Sequence, residues 1–237
     1  MDWKQNIYQS ALFRGFSYEE FERLLPQMHG IVRSVKKGTI LLEEGDLVSF
    51  GGVVLSGSLA TMKIQFDGEV SILDIVFPSK VFGLDMALTR SKVSALSVQS
   101  LEDSMIYTFP FSGLQTFRWM SDLQRDRMTE NILIHLANEN VRKQHKIEII
   151  SQYSLRRRIL TYLHFMSGRR QTETFSIPFS REQLAWYLCV NRSTLSHELA
   201  LMRGEGLIEF KKNRFSLLKK SGDAPADESS FREQADV

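Results

Sequence analysis

The chain has 237 residues, of which 43% are hydrophobic and 24% charged, and its formal net charge is +2. This composition is typical of an ordinary globular protein, and the length suits one large domain or two modest ones. No run of 18 apolar residues occurs, so no membrane span is predicted. Residues 1–10 lack a signal pattern, so we expect a cytoplasmic protein. The single cysteine, Cys189, excludes an internal disulfide and a cysteine-ligated zinc site or iron–sulfur cluster within one chain.

The small net charge conceals a segregation along the chain. Residues 145–220 hold 14 Lys+Arg against 6 Asp+Glu, a net of +8, whereas residues 1–144 have a net of −2 and residues 221–237 a net of −4. A compact basic segment is typical of a protein with a polyanion partner such as nucleic acid. A solvated face that happens to be basic is the alternative at this point.

Short helices are predicted at the N-terminus, and a β-rich region follows them. Ser17 begins a helix, because Glu20 three residues on completes a capping box. From residue 31 to 110, short β runs separated by glycine at roughly ten-residue spacing favour an antiparallel barrel or sandwich, with Asp67-Gly68 as a hairpin turn. The predicted strands are Ile31–Val35, Thr39–Leu42, Gly52–Leu55, Ser58–Gln65, Val70–Val76, Ala95–Ser100 and Met105–Phe109.

Residues 114–150 contain no glycine or proline, and their apolar residues recur at threes and fours. This pattern predicts one long helix, after a short one ending near Ser121. A helix of about 30 residues would overrun a single small domain, so we interpret its seam as a dimer contact. A polar residue on such a seam can select a two-stranded partner; a plain core helix is the alternative. The seam residues are Leu133, Leu136, Asn140 and Ile147.

The segment after the long helix is predicted to be mostly helical up to residue 220. Ser154 is interpreted as the cap of a helix over Leu155–Ser167. A short strand over Phe175–Phe179, which contains Pro178, is expected to follow.

The stretch 180–206 predicts a helix–turn–helix. Ser180 caps the first helix, and Gln183 completes its capping box. The connector Cys189–Asn191 has the usual length for this motif. It leads to a second helix, Arg192–Glu205, which Gly206 ends.

The polar face of that second helix predicts DNA binding. The N-terminal turns of such a helix enter a major groove, where arginine can read guanine and Ser, Thr and His can donate or accept. The first helix start is placed to hold phosphate, and the hairpin over 207–218 would be a basic wing. A generic solvated helical hairpin is the alternative. The predicted DNA-binding residues are Ser180, Arg181, Arg192, Ser193, Thr194, Ser196, His197, Lys211, Lys212 and Arg214.

Three stretches, within residues 15–220, resemble the Crp/Fnr family of transcription regulators. KKGTILLEEGD followed by VVLSGSLATMK is similar to the family's cyclic-nucleotide-binding-type β-roll, and LEDSMIYTFPF to the last strands of that roll, closest to the Fnr branch. SREQLAWYLCVNRSTLSHELALMRGEGLI is similar to the family's winged helix–turn–helix. The expected fold is therefore α+β. The expected parts are an antiparallel β-roll sensor (1–113), a dimerisation helix and hinge (114–150), a winged helix–turn–helix (151–220) and a disordered acidic tail (221–237).

The resemblance implies a homodimer whose sensor reorients two DNA-binding domains over a palindromic operator. Double-stranded DNA is the expected partner, with RNA polymerase as another if the chain is an activator. A small-molecule sensor with protein–protein output is the alternative function, and the basic segment argues against it.

The effector expected from the resemblance is not cyclic AMP. Members that bind cyclic AMP carry a glutamate after a glycine and an Arg-Ser pair further on, whereas Ser94-Ala95 stands at the pair position here. A buried phosphate would lose its charge-assisted partner. A loop shift that brings in Arg90-Ser91 would restore the pair and remains open. The expected effector-pocket residues are Gly83, Leu84, Asp85, Ser94, Ala95, Lys143 and Gln144.

No cofactor or metal site is predicted. The Fnr branch senses oxygen through a cysteine cluster that this chain lacks, so no iron–sulfur cluster is expected. His29 and His135 fit no recognisable haem arrangement. No paired carboxylates, Ser/His/Asp set or glycine-rich phosphate loop occurs in a convincing context, so we expect no enzyme activity.

Overall fold

The computed structural model describes residues 3–64, 70–170 and 174–218. The chain divides into two compact units, Met1–Glu139 and Asn140–Val237. Within the described ranges, no helix combines the length and the apolar character needed to cross a membrane. The predicted hairpin turn at Asp67-Gly68 and the predicted acidic tail lie outside the described residues.

The first unit begins with two short helices, α1 (Trp3–Tyr8) and α2 (Tyr18–Leu24). The backbone N–H of Glu20 donates to the Ser17 hydroxyl at 3.1 Å, and the N–H of Ser17 donates to the Glu20 carboxylate at 2.9 Å. These reciprocal bonds satisfy two donors that a helix start leaves without a partner. The predicted capping box is confirmed.

Two four-stranded antiparallel sheets follow, in the orders β1-β8-β3-β6 and β2-β7-β4-β5. The predicted antiparallel fold and all seven predicted strands are present, with shifts of one or two residues at some ends. One two-residue strand was missed, because so short a run has no periodicity to recognise. The strands are β1 (Ile31–Val35), β2 (Ile40–Leu42), β3 (Phe50–Ser56), β4 (Leu59–Ile64), β5 (Val70–Val76), β6 (Val81–Phe82), β7 (Ser97–Ser100) and β8 (Ser104–Pro110).

The segment that was expected to bind an effector packs tightly on β3. A Cβ at Gly52 would lie 2.3 Å from the Phe82 ring, and a Cβ at Gly51 would lie 2.5 Å from the Leu84 side chain. These two positions therefore require glycine, because any side chain would push β6 and the next turn away from the sheet. That turn is a short helix, α3 (Leu84–Ala87).

The predicted long helix is present as α4 (Asp122–Ile150). The short helix before it is a single helical turn, Leu114–Phe117, which ends four residues before the predicted end near Ser121. The apolar residues of α4 fall into two sets. Met128 is buried in the core of the first unit, together with Ile132, whereas Leu133 is 61% exposed and Ile147 is 59% exposed. The core stripe and the exposed stripe are therefore different faces of one helix.

The second unit contains the predicted winged helix–turn–helix. Its three described strands form a sheet in the order β10-β11-β9. Its elements are α5 (Leu155–Arg170), β9 (Thr174–Ser176), α6 (Arg181–Tyr187), α7 (Arg192–Gly204), β10 (Ile208–Lys211) and β11 (Arg214–Leu217).

Two element ends of the second unit differ from prediction by three residues, and other ends differ by one. Helix α5 was expected to stop at Ser167 but continues through Gly168 to Arg170, because one glycine costs a helix only about 1 kcal/mol. Strand β9 was expected to reach Phe179 but ends at Ser176. Pro178 has no N–H to donate to a neighbouring strand.

The connector between α6 and α7 is a tight left-handed turn centred on Cys189. The N–H of Cys189 donates to the carbonyl of Trp186, and the N–H of Val190 donates to that of Ala185, both at 3.0 Å. This is the Schellman pattern of a helix C-terminus, whose central residue is usually glycine. Cys189 has a φ of +56° there.

Replacing Cys189 by glycine is expected to raise the free energy of unfolding by about 1 kcal/mol, because a side chain in the left-handed region is costly. Cys189→Ala is the matched control, since it removes the thiol but keeps a Cβ, and it should leave stability nearly unchanged. Chemical denaturation of the full chain measures both. A Cys189→Gly variant less stable than Cys189→Ala would contradict this account of the turn.

Candidate nucleic-acid interface

Helix α6 begins at an exposed, fully formed capping box. The N–H of Gln183 donates to the Ser180 hydroxyl at 3.2 Å, and the N–H of Ser180 donates to the Gln183 side chain at 2.8 Å. The box sets the direction in which the chain enters α6. It places Ser180, a predicted phosphate contact, on the surface.

Helix α7 begins at Asn191, whose side-chain oxygen accepts hydrogen bonds from the N–H of Thr194 and from the Ser193 hydroxyl, both at 2.9 Å. Sequence reasoning counted Asn191 only as part of the connector. Asparagine directly before an apolar-periodic segment is an N-cap signal that could have identified it. Because the Ser193 hydroxyl already donates to Asn191, it faces a partner mainly as an acceptor.

The N-terminal turns of α7 present an uninterrupted polar face. Leu195, Leu199 and Met202 are the buried side chains of the helix and attach it to the unit. The predicted base-contacting residues occupy the remaining surface of the first two turns and are all exposed. They are Arg192, Ser193, Thr194, Ser196 and His197.

The wing is the β10–β11 hairpin, and its three predicted phosphate contacts are exposed. Lys211 and Arg214 pair across the hairpin, and Lys212 takes the left-handed turn position with a φ of +57°. Three cations at the tip of a rigid two-stranded hairpin, beside α7 in the chain, give the wing a strongly positive end.

Arg181 is half-buried and bound to the wing. Its Cζ lies 4.9 Å from the centroid of the Phe210 ring and 5.6 Å from that of Phe215, and its Nη2 donates to the carbonyl of Lys212 at 3.3 Å. Burial lowers the pKa of Arg181, and the positive charge of Arg192 lowers it further. The guanidinium stays charged at neutral pH, so this predicted phosphate contact also joins α6 to the wing.

The wing aromatics and Arg203 were missed by sequence reasoning. The Phe210 and Phe215 rings stack at 5.6 Å, and the Cζ of Arg203 lies 5.0 Å from the centroid of Phe210. Phenylalanines on facing strands of a basic hairpin are the signal that could have indicated this cation–π contact.

The arginine run 156–158 is engaged inside the second unit. Arg158 donates to the carbonyls of Gln152 and Leu188, at 3.1 and 3.2 Å. The Cζ of Arg157 lies 5.1 Å from the Tyr153 ring centroid. Arg156 binds two carboxylates. These three arginines therefore already have partners within the unit, although their charges still count in the net +8 of residues 145–220.

The structure brings together the part of the predicted effector pocket that lies in the first unit. Gly83 starts α3 with a φ of +84°. The buried Ser94 hydroxyl donates to the carbonyl of Leu96 at 2.5 Å and lies 2.9 Å from the sulfur of Met86. The two predicted pocket segments, 83–85 and 94–95, are therefore adjacent.

The predicted effector-pocket residues of the first unit differ in their exposure to solvent. Leu84 and Ser94 are buried in the core of the roll, whereas Asp85 and Ala95 are exposed. Only the latter pair is open to solvent. The other two predicted pocket residues, Lys143 and Gln144, are exposed positions of α4 in the second unit. Among the described residues no group of three or more His, Cys, Asp or Glu side chains could hold a metal ion.

Two family models match this chain. Residues 32–118 match the cyclic nucleotide-binding domain, and residues 157–222 match the Crp-like helix-turn-helix domain. The first match covers the two β-sheets, and the second covers the capped helices and the wing.

Curated relatives and solved structures agree with those matches. The transcriptional activator protein FnrA of Stutzerimonas stutzeri is 26% identical over 196 residues, which cover 80% of this chain and 78% of FnrA. The regulatory protein HlyX of Actinobacillus pleuropneumoniae is 26% identical over 212 residues, which cover 86% of this chain and 85% of HlyX.

Two solved structures share the fold at low identity. The global regulator CLP of Xanthomonas campestris has a TM-score of 0.63 at 18% identity and covers 84% of this chain and 98% of its own. FixK2 of Bradyrhizobium japonicum has a TM-score of 0.58 at 17% identity and covers 86% of this chain and 96% of its own.

Proposed function

Since the chain belongs to the Crp/Fnr family of transcription regulators, we propose that it acts as a homodimer on a palindromic operator. Helix α7 of each protomer lies in the major groove of one half-site. A two-fold symmetric dimer presents two identical reading helices, so a symmetric operator matches it. RNA polymerase is a further partner if the chain activates transcription.

The observation that carries the proposal is the exposed polar face of α7 beside a cationic wing. Arg192 and His197 stand in the first two turns of the helix and are exposed. They have the chemistry to read base edges. Lys211, Lys212 and Arg214 have the charge to hold the phosphate backbone and set the position of the protein on the duplex.

The exposed stripe of α4 supports the homodimer. Leu133, Leu136, Asn140 and Ile147 recur at the three-and-four spacing of a two-stranded coiled coil. Leu133, Asn140 and Ile147 are exposed, whereas Leu136 is partly buried against the core of the first unit. Leu133 and Ile147 are large apolar side chains more than half exposed in the single chain. A second copy of the same helix would cover them, and Asn140 facing its equivalent would set the register.

We propose an unidentified small-molecule effector, or none, rather than cyclic AMP. Ser94 stands at the position expected for the phosphate-binding arginine, and its buried hydroxyl already donates to a carbonyl of the roll. Asp85, exposed nearby, adds a negative charge that would repel a phosphate.

Arg192→Ala and His197→Ala should each weaken binding to a duplex selected from a random pool by the full chain. The expected loss is about 1–3 kcal/mol for each base contact removed. Binding is measured by fluorescence anisotropy at several salt concentrations, on the selected duplex and on a scrambled one.

Lys212→Ala is the matched comparison on the wing. It should weaken binding to both duplexes alike and flatten the slope of log K against log salt by about 1, because it removes one phosphate contact. If Arg192→Ala and His197→Ala both leave affinity for the selected duplex unchanged, the proposal that α7 reads the bases is wrong.

Leu133→Asp combined with Ile147→Asp should convert the dimer to a monomer of 27.3 kDa, because two charges would be buried in each copy of the apolar seam. Sedimentation equilibrium measures the mass. Ile134→Asp is the control: Ile134 is also exposed on α4 but lies off the seam, so this variant should stay dimeric. A monomeric wild-type chain would refute the homodimer.

Adding 3′,5′-cyclic AMP should leave the melting temperature of the chain unchanged, because a ligand stabilises only the state that binds it. Differential scanning fluorimetry at millimolar nucleotide measures this. An upward shift that Arg90→Ala abolishes would instead support the loop-shifted phosphate site.

A further inference from the structure

Arg156, in the first turn of α5, holds two carboxylates at once. Its Nε donates to the carboxylate of Glu198 at 2.7 Å, and Nη1 and Nη2 donate to the two oxygens of Glu205 at 2.8 Å each. The pair of bonds to Glu205 has the parallel geometry that guanidinium and carboxylate favour. These hydrogen bonds, to Glu205 and then to Glu198, raise the pKa of Arg156.

The two carboxylates belong to separate points on the recognition helix. Glu198 lies in the middle of α7, and Glu205 is its C-cap. They are seven positions apart, which is about two turns or 10 Å along the axis, so both lie on one flank of the helix. A helix that is held at two points along its length cannot pivot about either of them.

Apolar packing also holds α7 against its unit, because Leu195, Leu199 and Met202 are buried. The Arg156 contacts add directional hydrogen bonds on the flank of the same stretch of helix. Partly exposed ion pairs add little to stability, and the side chain of Arg156 is 36% exposed. We therefore expect the Arg156 contacts to affect the orientation of α7 more than the free energy of unfolding.

We infer that Arg156 is a positioning residue for DNA recognition, which fixes the direction of α7 through Glu198 and Glu205 and makes no contact with DNA itself. The inference rests on the proposed reading of bases by α7. A basic residue in this segment would otherwise be assigned to phosphate binding. Here, however, each nitrogen of the guanidinium donates to one of two carboxylates within 2.8 Å, whose combined negative charge exceeds its own positive charge.

The test compares the selected duplex with the scrambled one, using the full chain. Arg156→Gln should lower affinity for the selected duplex about tenfold, since charge-assisted hydrogen bonds are lost. Affinity for the scrambled duplex should change by less than about twofold, because screening weakens the effect of a single unpaired charge. Arg156→Lys should be impaired in the same way, because an ammonium cannot reproduce the fork that spans both carboxylates.

Two controls separate position from charge. Arg156→Gln with Glu205→Gln has the net charge of the wild type, and it should remain impaired on the selected duplex. Arg157→Gln removes the same charge from the neighbouring position of α5, where the arginine lies against Tyr153, and it should leave the ratio of the two affinities unchanged.

Either of two results overturns the inference. Equal loss on both duplexes, with a salt slope flattened by about 1, would show that Arg156 binds phosphate. Recovery of the selected-site affinity in the charge-balanced double variant would show a charge effect only. If circular dichroism shows that Arg156→Gln is unfolded, Arg156→Lys carries the comparison. Failure of the proposed function is distinct, because Arg192→Ala would then also leave the selected affinity unchanged.

Discussion

The recognition helix α7 is attached to its unit along one narrow apolar stripe, and the rest of the DNA-reading surface depends on that attachment. Leu195, Leu199 and Met202 are its buried side chains, because the other faces must stay polar to meet DNA. Burial of these three residues sets how deep the helix lies, and the hydrogen bonds from Arg156 to Glu198 and Glu205 add directional contacts on one flank. The Asn191 cap lies within the first turn of α7 and fixes where the helix begins.

Local signals predicted most of the architecture. The Ser17 and Ser180 capping boxes involve residues three apart, so both could be recognised from the sequence and both are present. The seven strands followed from alternation and turn residues, and the long α4 from its uninterrupted helical period. Strand β6 was missed because its existence depends on close approach to Gly52, a neighbour about thirty residues away in the chain that no local pattern reveals.

The functional surface was harder to predict, because a charge count carries no information about partners. The sequence shows an arginine at 181 and three at 156–158, and all four contribute equally to a net of +8. The structure distinguishes these arginines by the side chains that each one contacts. Arg181 meets two phenylalanines of the wing, and Arg156 meets two glutamates of α7. The hydrogen bonds in these pairings join residues 31 and 49 apart in the chain, so only the folded chain distinguishes a contact residue from one that holds another element in place.

The buried serine hydroxyls of the roll and the exposed polar side chains of α7 differ in what they contact. In the roll, the buried hydroxyls of Ser58, Ser94, Ser100 and Ser104 each donate to an oxygen of the roll itself. A buried polar group that is already satisfied loses one hydrogen bond when it turns towards a ligand, so such a ligand must replace that bond as well as its own hydration. On α7 the hydroxyls and the imidazole face solvent, where exchanging water for a base edge costs little. The polar face of α7 is therefore open to a partner, whereas the buried hydroxyls of the roll are already engaged within it.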